Sequence, residues 1–372
     1  MSLFLLFSYR GFGVVMLAFW LGAMPLAAVG WRWLTRPPAW LIQLLALLGY
    51  ACLSVLWSPS GRASEALVYV VLLLVGGGLI VHGRMRLELF MWAVFAAVAL
   101  LMIDAITGNA IRDVLPPANT PFKDAVNTGR GLTLALLLIP PASLISYRTG
   151  NWRLGRGLIV LAGLAAASTP VLMNGVILLA SLAAMAVTAL RPALGLRIVL
   201  GVLGLTLVAP FLMAGFIPPV EESLTLTGLP ESAVHRLVIW RSVLDAWLTE
   251  TNMLVGEGAR AVDVLSRETG TITLPSGAAA PLVSVHPHNT PMEILYDLGL
   301  MGYGLLLAAY AAFARAVLDA PLRRDMAAAI AALITGATVV YALEFSIWSE
   351  FVACTIVVSA WALRLARTGR DA

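Results

Sequence analysis

Hydrophobic residues fall in long uninterrupted runs that are separated by short polar connections along most of the chain. Runs of roughly 17–25 apolar residues have the length that a helix needs to cross a lipid bilayer. The pattern predicts eleven spans, near residues 12–30, 40–57, 66–82, 89–107, 130–146, 157–170, 172–190, 198–216, 290–316, 326–344 and 350–366. An apolar stretch at residues 1–10 could add another. The predicted fold class is therefore an all-α polytopic membrane protein with about 11–12 transmembrane helices.

One polar stretch, residues 217–289, is far longer than the other connections and divides the chain into three predicted parts. Residues 1–216 form the N-terminal transmembrane helices, 217–289 a large loop with short helices, and 290–372 the C-terminal transmembrane helices. A second polar connection covers residues 107–129.

Inside the large loop, apolar residues recur at helical spacing. Leu237, Trp240, Leu244 and Trp247 are three and four positions apart, which predicts an amphipathic helix over residues 232–250. Residues 271–280 show no such period and are expected to be irregular.

Composition and charge narrow the class of protein and its expected location. With 60% hydrophobic and 12% charged residues, the chain is too apolar for a soluble domain. Fourteen of the 24 basic residues lie in alternate connections, which should face the cytoplasm. The large loop is then periplasmic, and the expected location is a bacterial inner membrane. Cys52 and Cys354 lie within apolar runs, so the sequence supports neither a disulfide framework nor a thiolate metal site.

Two of the four histidines, His286 and His288, lie where the large loop meets the next apolar run. Imidazole exchanges protons near neutral pH. Asn289 follows His288 at the expected start of a helix, where unpaired backbone N–H groups attract anions. The residues alone leave two interpretations equally open: a His288 that binds phosphate or moves a proton, or histidines that cap the span and reach the interface.

Basic residues on the same side supply candidate anion ligands. Arg236 and Trp240 share a helix face, which places an indole ring beside a guanidinium suited to binding phosphate. Arg241, the next residue, is a further candidate ligand. An interfacial helix that lies on the membrane explains these residues slightly better on local evidence. Arg62 and Arg130 also point outward, and Arg130 has glycine on both sides, but arginines at span ends commonly reach for the headgroups.

Several familiar sites have no signature in this sequence. There is no GxxxxGK[ST] loop, HExxH, CxxC or GxSxG, so nucleotide hydrolysis, zinc hydrolysis and serine acyl transfer lack support. No metal site and no cofactor are predicted. No predicted span carries an obvious ionisable pair at its centre, which counts against an ion-coupled transporter.

Four motifs occur in a fixed order along the chain. They are Leu56-Trp57-Ser58 near the end of an early span, Arg236 with Trp240 four positions on, Leu254-Val255-Gly256-Glu257-Gly258, and His288-Asn289 followed after nine residues by Gly299-Leu300-Met301-Gly302. In this order and topology the chain resembles the O-antigen ligase family. These bacterial membrane enzymes move a polysaccharide from an undecaprenyl diphosphate carrier to lipid A-core. The chain departs from the pattern at Met173-Asn174-Gly175, where many members have Ser-Arg-Gly.

The resemblance implies a glycosyltransferase of lipopolysaccharide biosynthesis that acts at the periplasmic face. Since the sequence has no metal motif, the arginines would replace a metal cation, and direct attack would invert the anomeric centre. His288 would be the general base or a diphosphate ligand. Arg236, with Arg130 and either Arg62 or Arg241, would neutralise the diphosphate. His286, Asn289 and Trp240 complete the expected substrate-binding set. With the resemblance, functional roles for His288 and Arg236 are favoured over structural ones.

The implied partners are an undecaprenyl diphosphate-linked glycan donor, a lipid A-core or glycan acceptor, and membrane lipids, with no nucleic acid. Three alternatives stay open. An O-antigen or exopolysaccharide polymerase would join lipid-linked repeat units with the same groups. A lipid-linked oligosaccharide transporter is less favoured, and a scaffold without chemistry leaves the outer Arg and His residues unexplained.

Overall fold

The structure, a computed structural model, describes residues 39–82, 86–108, 110–113 and 121–368. The first predicted span, residues 12–30, and the apolar stretch 1–10 lie outside the described residues.

The described part of the chain is mainly helical. In chain order the helices are α1 (Ala39–Ser54), α2 (Glu65–His82), α3 (Leu87–Ile106), α4 (Ala110–Asp113), α5 (Pro121–Arg148), α6 (Trp152–Ser168), α7 (Leu172–Leu190), α8 (Pro192–Met213), α9 (Val220–Ser223), α10 (Glu231–Thr249), α11 (Val262–Glu268), α12 (Thr290–Asp319), α13 (Arg324–Leu343) and α14 (Glu350–Thr368). Two short strands, β1 (Thr271–Thr273) and β2 (Ala279–Pro281), lie between α11 and α12.

Within the described residues, six helices are long and apolar enough to cross a membrane. They are α3, α7, α8, α12, α13 and the Thr128–Arg148 part of α5. The chain is thus a helical protein with the hallmarks of membrane embedding. The predicted spans 40–57, 66–82, 157–170 and 350–366 are also helical, as α1, α2, α6 and α14, but they are not among the six.

Two local predictions differ from the structure, and a third is confirmed. The amphipathic helix over 232–250 is α10. The span predicted from residue 130 begins earlier, at Pro121, because α5 continues into the polar connection. The expectation that 271–280 is irregular is wrong: β1 and β2 pair as an antiparallel hairpin. Gly277, at φ 87°, closes its turn by donating to the Leu274 carbonyl at 2.8 Å.

Helix α5 is the centre of the larger hydrophobic core. Of an 18-residue apolar window within its Thr128–Arg148 part, 89% is buried, and α3, α6, α7, α13 and α14 pack around it. Leu132, Leu134 and Leu138 are fully buried there. At one end of this bundle Arg148 pairs with Asp325 at 2.8 Å. Because α5 ends and α13 begins at that pair, the start of the buried part of α5 and the end of α13 meet at the opposite end.

A second core joins the large connection to the transmembrane helices. Trp247 of α10, Val262 of α11 and Val283 share one apolar cluster with Ala51 of α1 and Met292 of α12. Burial of apolar surface is the dominant favourable contribution to folding, so the connection is held against α1 and α12 rather than tethered loosely to them.

Helix α12 is broken at Gly299, whose φ of 61° and ψ of −167° are not helical. The segment before α11 satisfies the backbone at this break. Glu257 and Gly258 N–H groups donate to the Tyr296 and Asp297 carbonyls at 3.1 and 2.7 Å. In the other direction, Leu300 N–H donates to the Met253 carbonyl at 2.9 Å.

The glycines at this contact have no room for a side chain. A Cβ on Gly299 would lie 2.5 Å from the Gly256 nitrogen, and one on Gly256 would lie 2.4 Å from the Gly299 nitrogen. The early motif joins the same contact: Trp57 Nε1 donates to the Gly256 carbonyl at 3.2 Å, and Ser58 Oγ donates to the Ala259 carbonyl at 2.7 Å. Three motifs that are distant in sequence therefore form one junction, which fixes where α12 begins.

Candidate functional site

The candidate site lies at the end of the bundle where α13 ends and α12 begins. A cavity of about 390 Å³ opens there. Its wall includes Arg62, Arg130, Arg260, His286 and Glu293, together with residues of the turn between α13 and α14. Beside it, Arg236 is close enough for its charge to act on both His288 and Glu344. We call His286, His288, Arg130, Arg236 and Glu344 the site cluster.

His288 adopts a strained backbone conformation, with φ at 51°, and its ring is half-buried. Its Nδ1 lies 3.0 Å from the Glu344 carbonyl oxygen. A carbonyl can only accept, so Nδ1 carries the hydrogen and Nε2 keeps its lone pair in the neutral ring. Burial, together with the positive charges of Arg236 and Arg130, lowers the pKa of His288 to about 4. Near neutral pH the ring is therefore uncharged and able to accept a proton.

Two predicted site residues hold the His288 segment in place. Trp240 Nε1 donates to the Pro287 carbonyl at 2.8 Å, which ties α10 to the loop. The Asn289 side chain accepts from the Met292 N–H at 3.1 Å and caps α12. In the structure both side chains act on the backbone around His288; a direct contact of either with substrate stays a prediction.

His286 packs edge to face on His288, with ring centroids 4.2 Å apart. Its ring lines the cavity, and its Nδ1 is buried with no hydrogen-bond partner among the described residues. Burial, and then the positive charges of its neighbours, lowers the pKa of His286 well below its usual value. A buried polar atom without a protein partner calls for a ligand or a water molecule.

Arg236 reaches the site cluster from α10. Its Nη1 has one long contact, 3.5 Å from the Ser232 carbonyl, and its Nε is buried without a partner in the described part of the chain. Burial lowers the pKa of Arg236, although a guanidinium stays charged at neutral pH. A half-buried guanidinium with unsatisfied donors is suited to an anion that enters the site.

Arg130 lies near the start of the buried part of α5 and lines the cavity. Its charge acts on both histidines and on Glu344. The backbone before it is tightly packed, because a Cβ on Gly129 would lie 2.2 Å from the side chain of Val171.

The remaining two predicted arginines are engaged in ion pairs. Arg62 lines the cavity but pairs with Glu65 at 2.7 Å and Asp263 at 3.6 Å. Arg260 binds the same two carboxylates. Arg241 pairs with Asp245 at 2.8 Å and donates to a backbone carbonyl, and it does not line the cavity. Five positions separate Arg241 from Arg236, which puts the two on different faces of α10.

Sequence reasoning missed Glu344, the residue that follows α13. Both of its carboxylate oxygens lie 3.2 Å from Thr133 Oγ1. Burial raises the pKa of Glu344 to about 7, against the opposing charges of Arg130 and Arg236. Its only sequence signal was an acidic residue at the edge of a predicted span, on the same side of the membrane as His288.

Two further carboxylates near the start of α12 also escaped notice. Glu293 accepts from Ser346 Oγ at 2.6 Å and from the Ile347 N–H at 2.9 Å. Asp297 accepts from Trp348 Nε1 at 2.8 Å and from the Arg260 N–H at 2.9 Å. These bonds hold the turn after α13 and the segment before α11 against α12. Glu293 and Asp297 therefore stabilise the walls of the cavity.

Among the described residues, the geometry thus offers a neutral imidazole whose Nε2 makes no hydrogen bond, a guanidinium with unsatisfied donors, and a second guanidinium on the cavity wall. Within the described residues, no group of three or more His, Cys, Asp or Glu side chains is arranged to hold a metal ion. No protein-family model matches the chain, and no curated protein matches it.

Proposed function

We propose that the protein is a membrane glycosyltransferase of the O-antigen ligase type. It moves a glycan from an undecaprenyl diphosphate carrier to an acceptor hydroxyl, with lipid A-core as the acceptor. The reaction takes place at the periplasmic face of the inner membrane, without a metal ion and with inversion. The observation that carries the proposal is the grouping of His288 with Arg236 and Arg130. The His288 Nδ1 is held by the Glu344 carbonyl, and its Nε2 bonds to none of the described residues.

In the proposed reaction, His288 Nε2 takes the proton from the acceptor hydroxyl as its oxygen attacks the anomeric carbon. The bond between that carbon and the phosphate oxygen breaks, and its electron pair stays on the departing diphosphate. Arg236 and Arg130 stabilise the charge that grows there, and such electrostatic stabilisation usually contributes most to the rate of transfers of this kind. Of the two roles that the resemblance leaves to His288, a neutral ring favours the base over the diphosphate ligand.

An apolar groove supports a lipid-linked donor. It has a volume of about 570 Å³ and runs between α8, α12, α13 and α14. Thr290 and Ile347 line it at the end that carries the site, and Arg364 and Arg367 line it at the other. A polyprenyl chain in this groove would gain apolar contact along the membrane while its diphosphate reached the site cluster.

The proposal is tested by mixing the purified protein with undecaprenyl diphosphate-linked glycan and two acceptors, lipid A-core and a second lipid-linked glycan. The expected product is glycan on lipid A-core with the anomeric configuration inverted. Elongated lipid-linked glycan would instead identify a polymerase. No transfer to either acceptor, by protein that still binds the donor, would refute the proposed function.

A further inference from the structure

A chain of buried side chains leads from the site cluster into the core. Glu344 contacts Thr133, Thr133 contacts Asn174, and Asn174 contacts Thr169 and the Gly129 carbonyl. Thr133 and Asn174 are both fully buried, so water cannot supply missing hydrogen-bond partners. Each hydrogen in the chain can therefore be counted.

The count starts at Asn174. Its Nδ2 lies 3.1 Å from the Gly129 carbonyl, which can only accept, so the amide orientation is fixed. The second Nδ2 hydrogen points to Thr169 Oγ1 at 3.2 Å. The Oδ1 atom of Asn174 must then accept. The Thr133 hydroxyl lies 2.8 Å from this atom and 3.2 Å from the Gly129 carbonyl oxygen, so its hydrogen goes to one of these two acceptors, of which Asn174 is the nearer.

A hydroxyl has one hydrogen, so Thr133 has none left for Glu344. Both Glu344 oxygens nevertheless lie 3.2 Å from Thr133 Oγ1. If Glu344 were ionised, its oxygens would face the lone pairs of the fully buried Thr133 hydroxyl, which is costly. If it is protonated, its O–H donates to Thr133 and this repulsion is removed.

We propose that Glu344 is a neutral carboxylic acid in the working enzyme and acts as a positioning residue, leaving Arg236 without an internal counter-charge and thus available to the donor diphosphate. The charged groups that face it are Arg130 from α5 and Arg236 from α10, while His288 binds its backbone carbonyl. Both arginines favour ionisation, and burial opposes it more strongly. This role of Glu344 rests on the proposed function; its protonation does not.

The consequence is a dependence on pH. Above its pKa, Glu344 becomes a carboxylate within reach of the charges of Arg236 and Arg130. The Glu344 carboxylate then competes with the diphosphate for the two positively charged guanidinium groups, and diphosphate binding weakens. Glutamine at this position can donate a hydrogen bond to Thr133 but cannot ionise, so a Glu344→Gln protein keeps the low-pH state at every pH.

The protonation is measured by infrared spectroscopy of the purified full-length protein, as the difference between wild type and Glu344→Gln. The other buried carboxyl groups cancel in this difference. The expected result is a carboxylic-acid carbonyl band on the acid side of neutrality that disappears on the alkaline side. Absence of the band at every pH would overturn the inference and leave the proposed function standing.

A second variant checks the hydrogen count itself. Asn174→Leu removes the nearest acceptor of the Thr133 hydrogen. The Gly129 carbonyl and the two Glu344 oxygens, all at 3.2 Å, remain, and an ionised carboxylate is the stronger acceptor. The carboxylate gains a donor, so the Glu344 band should titrate at lower pH than in wild type. A band that titrates unchanged in Asn174→Leu would contradict the count.

The role in binding is measured with inorganic pyrophosphate by titration calorimetry. Wild-type affinity should fall roughly tenfold from the acid to the alkaline side, about the effect of one lost charge interaction. Glu344→Gln should match wild type on the acid side and lose little on the alkaline side. Equal losses in both proteins would overturn the role. No pyrophosphate binding by wild type at any pH would overturn the proposed function as well, even if the carboxylic-acid band is present.

Discussion

Replacement of Gly299 by alanine tests the junction that positions His288, and its effect can be estimated from the structure. Gly299 has φ 61° and ψ −167°, a backbone region that is almost restricted to glycine. A Cβ there would lie 2.5 Å from the Gly256 nitrogen and 2.5 Å from the Leu254 carbonyl oxygen. Both contacts are with backbone, which cannot rotate away as a side chain can.

Two costs add in the Gly299→Ala protein. The backbone conformation alone costs about 1–3 kcal/mol for a residue with a Cβ. The overlap with the facing segment costs roughly another 1–3 kcal/mol, as overpacked cores do. We expect the segment around Gly256 to separate from α12, which relieves the overlap. This separation also moves the start of α12, and His288 moves with it. Stability and transfer activity should both fall.

The assay is thermal unfolding of the purified protein in detergent, followed by the transfer reaction. Gly304→Ala is the matched control. Gly304 lies in the same helix, and apart from its chain neighbours and the backbone of its own helix, no atom of the described residues lies within 4 Å of the position of its Cβ. Alanine favours helix over glycine by about 1 kcal/mol, so Gly304→Ala should be neutral or stabilising. Equal melting temperatures and rates for the two variants would refute the account of the junction.

Further predictions concern the site cluster. His288→Ala should lower the transfer rate by about 10²–10⁴-fold, the usual contribution of a general base, with the protein still inserted in the membrane. Because the pKa of His288 is lowered from 6.5 to about 4, its contribution to the rate should fall only near the lower value. Stability should fall earlier, from about pH 6.5 downwards, because the unfolded chain takes up the proton first. Arg236→Ala should cost roughly 10²–10³-fold in rate, as loss of a charge-stabilising donor does; wild-type kinetics would remove it from the site. Trp240→Phe loses the bond to the Pro287 carbonyl and should destabilise the fold by about 0.5–1.5 kcal/mol in thermal unfolding. Arg241→Ala should leave the rate unchanged, and a large loss would return Arg241 to the site.

The helices were predictable because their signal is the apolar run itself. A bilayer demands a continuous apolar stretch, and every predicted span that falls on described residues is a helix. The ends of elements that do not coincide with the end of an apolar run were less predictable. Helix α5 extends into a polar connection, where no hydrophobic pattern marks it. The β1–β2 hairpin was missed because strands of three residues are too short to show an alternation.

The site was predictable in its basic members but not in its acidic ones. The spacing of Arg236 and His288 from glycine motifs drew attention to both, and the structure brings them together. Glu344 gave no comparable signal, because an acidic residue at the edge of a span is also what ordinary solvation produces. The hydrogen on His288 Nδ1 depends on a carbonyl 56 positions away, so only tertiary structure reveals it.

The most direct test of the central claim is the transfer rate of the purified protein in EDTA, with undecaprenyl diphosphate-linked glycan as donor and lipid A-core as acceptor. The account predicts full activity for wild type without divalent ions, and little or none for His288→Ala under the same conditions. Strict dependence of wild type on a divalent ion, or an unchanged rate in His288→Ala, would contradict it.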